Sequence, residues 1–77
     1  MINFLKKFAD ENGLKFAYLR GVGIDGRDEV EFRFTNPETK KLCGHKYTLD
    51  EINNSEIDIL TQIVNYTEKH LLKETNQ

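Results

Sequence analysis

The sequence contains no tryptophan, one proline and one cysteine, and its apolar runs are only a few residues long. Because Cys43 is alone, no disulfide can form within the chain, which is typical of a protein from a reducing compartment. A membrane-spanning helix needs about 20 apolar residues, so no membrane segment is expected. Acidic residues already stand at positions 10 and 11, where a secretory signal would still be apolar. These features predict a cytoplasmic protein.

Apolar and charged residues occur in the proportions of an ordinary globular domain, at 38% and 31% of 77 residues. A chain of this length buries about 60% of its unfolded surface, which is enough for one modest core and no second lobe. We therefore expect residues 1–77 to form a single compact domain.

The first segments of the chain predict a short helix and then a strand. Asn3 is suited to cap a helix over residues 3–12, and Gly13 stands where a left-handed C-terminal residue is common. The following LKFAYLR, residues 14–20, alternates in the manner of a strand with one buried face.

The clearest strand is EVEFRFT, residues 29–35, in which every second residue is apolar. A turn around Pro37 follows, and a third strand over about 41–48 completes a hairpin with the second. The pattern of the third strand is less regular, and we interpret Gly44 as a β-bulge that shifts the register.

A second and longer helix is predicted over about 56–73. Ser55 and Asp58 have the spacing of a capping motif, as do Thr48 and Glu51 just before them. At 100° per residue, the apolar residues of this helix form one stripe that we expect to lie on the sheet. The stripe consists of Ile57, Leu60, Ile63, Val64, Thr67 and Leu71.

The order α-β-β-β-α predicts an α+β fold, a three-stranded antiparallel sheet with two helices packed on one face. One hydrophobic core is expected between the sheet and the helices. Its predicted members include Phe16, Val30, Phe32, Phe34, Leu60 and Val64.

Residues 21–26, GVGIDG, have the G-x-G-x-x-G spacing of nucleotide-binding loops. A dinucleotide site needs such a loop between a strand and a helix, because the helix N-terminus holds the phosphates. Here a second strand follows, and the acidic Asp25, Asp28 and Glu29 would repel phosphate. The loop therefore predicts a hairpin turn, and no nucleotide or other cofactor is expected.

Cys43 and His45 are two residues apart on the third strand and so share a face, and His70 lies on the second helix. A structural zinc site usually has four ligands in close pairs, and a cysteine nucleophile needs an oxyanion hole and a cleft. Cys43, His45 and His70 are the only such ligands, and in a chain of this size they favour neither a zinc site nor a catalytic cysteine. We expect no metal and no catalytic activity, and we interpret the pair as a buried thiol beside a histidine.

The charged residues are unevenly distributed although the net charge is only -2. Acidic residues dominate positions 25–31 and 50–58. On the second helix, a flank beside the core stripe consists of Ile59, Tyr66 and His70. This flank makes the apolar arc of the helix wider than one contact with a sheet requires. We predict that these features bind a partner protein, and the flank is also a candidate for a homodimer through helix 2. The candidate residues are Asp25, Asp28, Glu29, Glu31, Asp50, Glu51, Glu56, Asp58, Ile59, Tyr66 and His70.

Basic residues around the second hairpin define an alternative, a small nucleic-acid-binding module. Contacts with phosphate groups provide most of the affinity for nucleic acid. Against this alternative, the aromatic residues of the second strand should face the core and not stack on bases. The bases concerned are Arg33, Lys40, Lys41 and Lys46.

An α-β-β-β-α domain of this length resembles the double-stranded RNA-binding domain and the small HicA toxins. The second helix opens Ser55-Glu56-Ile57-Asp58 and lacks the basic cluster of the former, and the catalytic glycine-serine-histidine loop of the latter is missing. These two resemblances therefore imply a similar fold but neither RNA binding nor toxin activity. The element order, the hairpin DEVEFRFTNPETKKL and the acidic stretches also resemble small phage-encoded inhibitors of the anti-CRISPR type, whose acidic loops occupy DNA-binding sites on an effector. That resemblance implies a non-catalytic regulator or inhibitor that acts by contact with a protein, in particular a nucleic-acid-binding effector.

Overall fold

The computed structural model describes residues 1–72 of the chain. Its elements are α1 (Ile2–Glu11), β1 (Lys15–Val22), β2 (Asp28–Thr35), β3 (Leu42–Thr48) and α2 (Leu49–Thr67), followed by a π-helical turn (Glu68–Leu72). The strands form one antiparallel sheet in the order β1-β2-β3, so each strand connection is a hairpin. The predicted α+β fold, with a three-stranded antiparallel sheet and two helices, is confirmed. The predicted end of the second helix at residue 73 lies outside the described residues.

The strands pair in a regular register from end to end. Phe34 in the middle strand lies opposite Phe16 on one side and Cys43 on the other. Gly44 lies opposite Arg33 with no interruption of the ladder, so the predicted bulge at Gly44 is wrong. The glycine instead makes room for a neighbouring side chain, since a Cβ there would lie 2.8 Å from Glu31 Oε2. The irregular pattern of β3 reflects its position at the sheet edge, where both faces are only partly covered.

Residues 23–27 join β1 to β2 as a tight hairpin connection, and the first two residues of GVGIDG, Gly21 and Val22, end β1. The Gly23 N–H donates to the Arg27 carbonyl at 2.8 Å, and the Gly26 N–H donates to the Gly23 carbonyl at 2.9 Å. Gly26 has φ +83°, which a side chain rarely allows. The prediction that these glycines turn the chain is confirmed.

Asn36 organises the turn between β2 and β3. Its Oδ1 accepts hydrogen bonds from the backbone N–H groups of Glu38 and Thr39, at 2.9 and 3.4 Å. Its Nδ2 donates to the Leu71 carbonyl at 2.9 Å. One side chain therefore closes the turn and fixes the turn to the end of the second helix.

The helices cover one face of the sheet, and the hydrophobic core lies between them and that face. The Phe34 ring is 5.1 Å from the Phe16 ring and 5.9 Å from the Phe8 ring of α1. Among the predicted core residues, Val30, Phe32 and Phe34 are buried. The others pack against the core in partly buried positions: Phe16, Leu60 and Val64.

Both helices begin earlier than predicted. In α1, Met1 occupies the cap position without a side-chain hydrogen bond, so the predicted cap at Asn3 is wrong. The additional residue Ile2 packs against the core, which extends the helix to the start of the chain. At the other end Gly13 has φ +70°, as the prediction of a left-handed C-terminal residue requires.

Helix α2 begins at Leu49, before the start predicted near residue 56, and consists of two helical segments. The Thr48 hydroxyl accepts from the Glu51 N–H at 3.1 Å, and the Glu51 carboxylate accepts from the Thr48 N–H at 2.8 Å. This reciprocal pair is the capping box that the spacing predicted. Ser55 has the non-helical angles φ -143° and ψ 40° and forms a kink, and the second helical segment follows it at the predicted position.

The apolar stripe of α2 is rotated relative to the prediction. Ile59, predicted outside the stripe, is only 6% exposed, whereas Ile57, predicted inside it, is 77% exposed. Ile63 and Thr67 are buried as expected. At 100° per residue the difference is a rotation of about 60°. On the side of α2 that faces α1, Ile57, Leu60 and Val64 line a concavity together with Phe4. Within residues 1–72, neither helix is long and apolar enough to span a bilayer.

Candidate functional site

An apolar groove lies on the outer side of the molecule between α1 and α2. Phe4 forms the wall contributed by α1, and Ile57, Leu60 and Val64 form the wall contributed by α2. Its volume is about 340 Å³. We call it the helix groove, and its full lining is Phe4, Ile57, Leu60, Thr61, Val64 and Asn65.

The groove forms because the central apolar residues of each helix pack against the sheet and leave the flanking apolar residues exposed. Helix α1 buries Leu5, Phe8 and Ala9, which leaves Phe4 on the flank at 54% exposure. The rotation of α2 similarly leaves Ile57 in solvent. Complete burial of an exposed side chain of this size is favourable by about 1.5–3 kcal/mol, from which the entropic costs of association are subtracted. The groove is therefore a concavity with exposed apolar walls.

Helix α2 is acidic, whereas α1, which forms the other wall of the groove, carries Lys6 and Lys7. Its acidic residues are Asp50, Glu51, Glu56 and Asp58, and it contains no lysine or arginine. Glu51 belongs to the capping box, and Glu56 pairs with the N-terminal ammonium group at 3.7 Å. Asp50 and Asp58 form no ion pair with the described residues, and neither of them lines the groove.

The two acidic stretches meet at one end of the molecule. Asp28 at the start of β2 and Asp50 at the start of α2 line the same cleft, which has a volume of about 330 Å³. Two of the predicted acids are paired locally: Asp25 lies 3.4 Å from Arg27, and Glu31 lies 3.3 Å from the arginine two residues on. The structure thus brings the stretches together but partly neutralises the first. We call this region the acidic end, and its residues are Asp25, Asp28, Glu29 and Asp50.

The basic residues of the nucleic-acid alternative are not gathered in one place. Lys40 and Lys41 lie at the turn between β2 and β3, whereas Lys46 lies opposite Glu31 towards the other end of β3. At about 3.3 Å per residue, Lys41 and Lys46 are about 17 Å apart along the strand. Arg33 lies between them and pairs with Glu31. These four bases form a dispersed set and not one patch.

The predicted flank of the second helix is divided by the rotation of α2. Ile59 is buried, so its assignment to a partner-binding surface is wrong. Tyr66 and His70 remain exposed, with ring centroids 4.1 Å apart, and Tyr66 packs edge-on against His45 at 5.3 Å. These rings lie on the β3 side of α2, away from the helix groove.

Cys43, His45 and Thr67 form a polar cluster between β3 and α2. The His45 Nε2 lies 3.2 Å from the Thr67 hydroxyl, and the Cys43 Sγ lies 3.6 Å from the same hydroxyl and 3.7 Å from Nε2. Burial raises the pKa of the Cys43 thiol, against a smaller lowering by the Thr67 hydrogen bond, and burial lowers the pKa of His45. Both groups are therefore held neutral near pH 7, whereas a cysteine nucleophile needs a lowered thiol pKa.

The same cluster does not form a metal site with the second histidine. Within residues 1–72, no three histidine, cysteine or acidic side chains are placed to share a metal ion. The cluster instead satisfies the buried hydroxyl of Thr67, which is 0% exposed. Sequence reasoning placed Thr67 in the apolar stripe and missed this role. The signal was a hydroxyl residue in that stripe, facing a strand that carries a thiol and an imidazole.

Sequence reasoning also missed Phe4 as a groove residue and assigned the other wall of the groove to the core. An exposed Phe4 follows from helix geometry once Leu5 and Phe8 are known to be buried. The other wall depends on the rotation of α2, which the sequence pattern alone does not determine.

No protein-family model, no curated protein and no solved structure matches this chain.

Proposed function

We propose that this chain is a small non-catalytic binding protein that holds a partner protein in the helix groove. The observation that carries the proposal is the pair Phe4 and Ile57, large apolar side chains that stay 54% and 77% exposed around one concavity. Surfaces of monomeric proteins rarely keep such patches, and interfaces use them.

The partner segment that fits best is a basic amphipathic helix. Ile57, Leu60 and Val64 lie on successive turns of α2, the spacing that receives apolar side chains from a helix lying along the groove. The charged residues of helix α2 are all acidic, although none of them lines the groove. Lysine or arginine on the flanks of the partner helix would complement that charge and speed association.

The acidic end supports a narrower form of this proposal, a regulator or inhibitor of the anti-CRISPR type. Asp28 and Asp50 line one cleft there, and neither forms an ion pair within the described residues. A basic surface on a nucleic-acid-binding effector would complement this end. The groove would then supply most of the affinity, and the acidic end would supply specificity and rate.

The test is a nuclear magnetic resonance titration with an amphipathic helical peptide of leucine and lysine. We expect chemical-shift changes at Phe4, Ile57 and Leu60, and loss of binding in Ile57→Glu, which places a charge at the groove. The matched control is Leu42→Glu, an exposed apolar residue on β3 outside the groove. It should bind the peptide as the wild type does.

Other outcomes would contradict the proposal. A peptide of the same composition with scrambled order should not bind, because its apolar face is lost. Equal binding of the scrambled peptide would show that net charge alone causes the interaction. Shifts at Lys40 and Lys41 on addition of duplex DNA, weakening steeply with salt, would support the nucleic-acid alternative. Self-association lost in Ile57→Glu would indicate a homodimer through helix 2.

A further inference from the structure

Strand β1 has a free hydrogen-bonding edge. It is the outer strand of the order β1-β2-β3, and none of the elements within residues 1–72 pairs with its other side. The Gly23 N–H donates to Arg27 across the hairpin, in the same register that pairs the strands. Because bonded and non-bonded pairs alternate in an antiparallel ladder, the odd-numbered residues of β1 bond to β2. The backbone groups of Phe16, Tyr18, Arg20 and Val22 therefore point out from the edge.

This edge is apolar and weakly protected. Leu19 is 46% and Val22 is 68% exposed, and Tyr18 is also exposed. Edge strands usually avoid pairing with other chains by means of a proline, a bulge or an inward-facing charge. The strand KFAYLRGV has no proline, and its pairing with β2 has no bulge. Only Arg20 is an inward-facing charge.

We propose that β1 pairs with β1 of a second copy of this chain, antiparallel, with the two-fold axis at Leu19. In this register Phe16 lies opposite Val22 of the second copy, and Tyr18 lies opposite Arg20. The two-fold axis repeats both pairs. In each pair, the outward-pointing backbone N–H and C=O groups of one residue face those of its partner in the second copy. Leu19 meets its own copy at the axis.

Charge and side-chain size favour this register over its neighbours. A shift of the axis to Arg20 would place two arginines face to face, which is destabilising. A shift to Tyr18 would place Arg20 opposite Phe16 and leave Val22 beyond the pairing. With the axis at Leu19, no like charges meet, and Arg20 lies beside a tyrosine ring, an arrangement that attracts a cation. Of the two charges on the edge, Lys15 lies at the end of the strand, and Arg20 becomes part of the contact.

The resulting dimer has one continuous six-stranded sheet. Residues opposite each other in two paired strands share a face, so the helices of both copies lie on the same side of that sheet. Leu19 alternates with the inward-facing residues and lies on the uncovered face. A substitution at Leu19 therefore tests the contact without disturbing the core.

The first experiment is sedimentation velocity over a wide range of protein concentration. We expect the wild type to change from monomer to dimer as its concentration rises, and Leu19→Glu to stay monomeric, because two carboxylates would meet at the axis. Leu42→Glu, an exposed leucine on the same face at the opposite edge of the sheet, should dimerise like the wild type. A wild type that stays monomeric at every concentration would overturn the proposal, as would a dimer that persists in Leu19→Glu.

A second variant fixes the register. Leu19→Cys places one new thiol at the two-fold axis, where opposite Cβ atoms are about 4.5–5.5 Å apart and a disulfide can form. We expect rapid oxidation to a covalent dimer. A cysteine at Val22 should cross-link much more slowly, because Val22 lies opposite Phe16. Faster cross-linking at Val22 than at Leu19 would contradict the register even if Leu19→Glu failed to fold.

Discussion

Phe32 lies in the middle strand of the sheet, opposite Tyr18 and His45, and is 1% exposed. Its ring stacks on that of Phe16 at 6.3 Å. A residue with neighbours on every side leaves a cavity when it is shortened, since the surrounding strands cannot close over the space. The stability of the domain therefore depends strongly on this one side chain.

We expect Phe32→Ala to lower the free energy of unfolding by about 3–5 kcal/mol, measured by urea denaturation. That is a large part of the about 5–15 kcal/mol that holds a typical domain folded. Ile57→Ala is the control: it removes an exposed side chain and should change the same quantity by about 0.5 kcal/mol or less. Equal stability of wild type and Phe32→Ala would refute the core assignment.

Alternation along β2 was sufficient to predict that Val30, Phe32 and Phe34 are buried. A strand permits two faces only, and polar residues occupy the other one. The polar cluster at Cys43 and His45 was predictable only in part. Their shared face follows from their spacing, but the Thr67 hydroxyl between them depends on how α2 docks.

His45 makes the stability depend on pH. Burial lowers the pKa of its imidazole below the ordinary 6.5, so the folded protein prefers the neutral ring. Below that value the unfolded chain binds more protons than the folded one, and stability decreases as the pH falls from 6.5 through the folded pKa. We expect His45→Gln to reduce this decrease between roughly pH 7 and 5, measured as denaturation midpoints across that range. An unchanged slope would mean that His45 stays exposed to water.

At the level of elements, α2 departs most from its prediction. Two capping motifs occur in sequence, and the later one at Ser55 predicts a helix that starts near residue 56. The capping box at Thr48 begins it, and the polar Asn53-Asn54-Ser55 bends the helix without ending it. Local spacing identifies both motifs, but only the packing of Leu49 and Ile52 against the core decides between them.

The two motifs can be separated by substitution. Thr48→Ala removes the hydroxyl that accepts the Glu51 N–H and should lower stability by about 1 kcal/mol. Ser55→Ala, at the kink, removes no capping hydrogen bond and should have a smaller effect on the unfolding midpoint. The reverse order of the two effects would show that the helix begins at Ser55 in solution.

The rotation of α2 has a different origin. Apolar residues surround nearly half of that helix, so its own pattern permits several orientations on the sheet. The observed orientation depends on how α2 packs beside α1. The apolar pattern of a single helix carries no information about that packing. Ile57 is consequently exposed although it was predicted to be buried, and Ile59 is buried although it was predicted to be exposed.

At the level of the whole molecule, the two proposed contacts lie on different sides. The helix groove is on the outer side of the helices, whereas Leu19 lies on the uncovered face of the sheet and at its edge. Substitutions that are far apart and share no partner act independently.

We therefore expect Leu19→Glu to be monomeric and still bind the amphipathic peptide at the groove. Ile57→Glu should lose the peptide and still dimerise. The checks are the peptide titration and the sedimentation experiment, each made on both variants. Loss of both activities in either variant would show that the surfaces are coupled or that one of them has been misplaced.

The hairpin order β1-β2-β3 also has a consequence for how quickly the chain folds. Every strand pairs with its neighbour in sequence, so the sheet can form by successive short loop closures of low entropic cost. Proteins dominated by such local contacts have a low contact order and cross their folding barrier fast, whereas distant pairings slow it. The exception is the docking of α1 beside α2, where the N-terminal ammonium group must find Glu56 across most of the chain. Closure of the two helices is therefore the step that should limit the folding rate, after the sheet has formed.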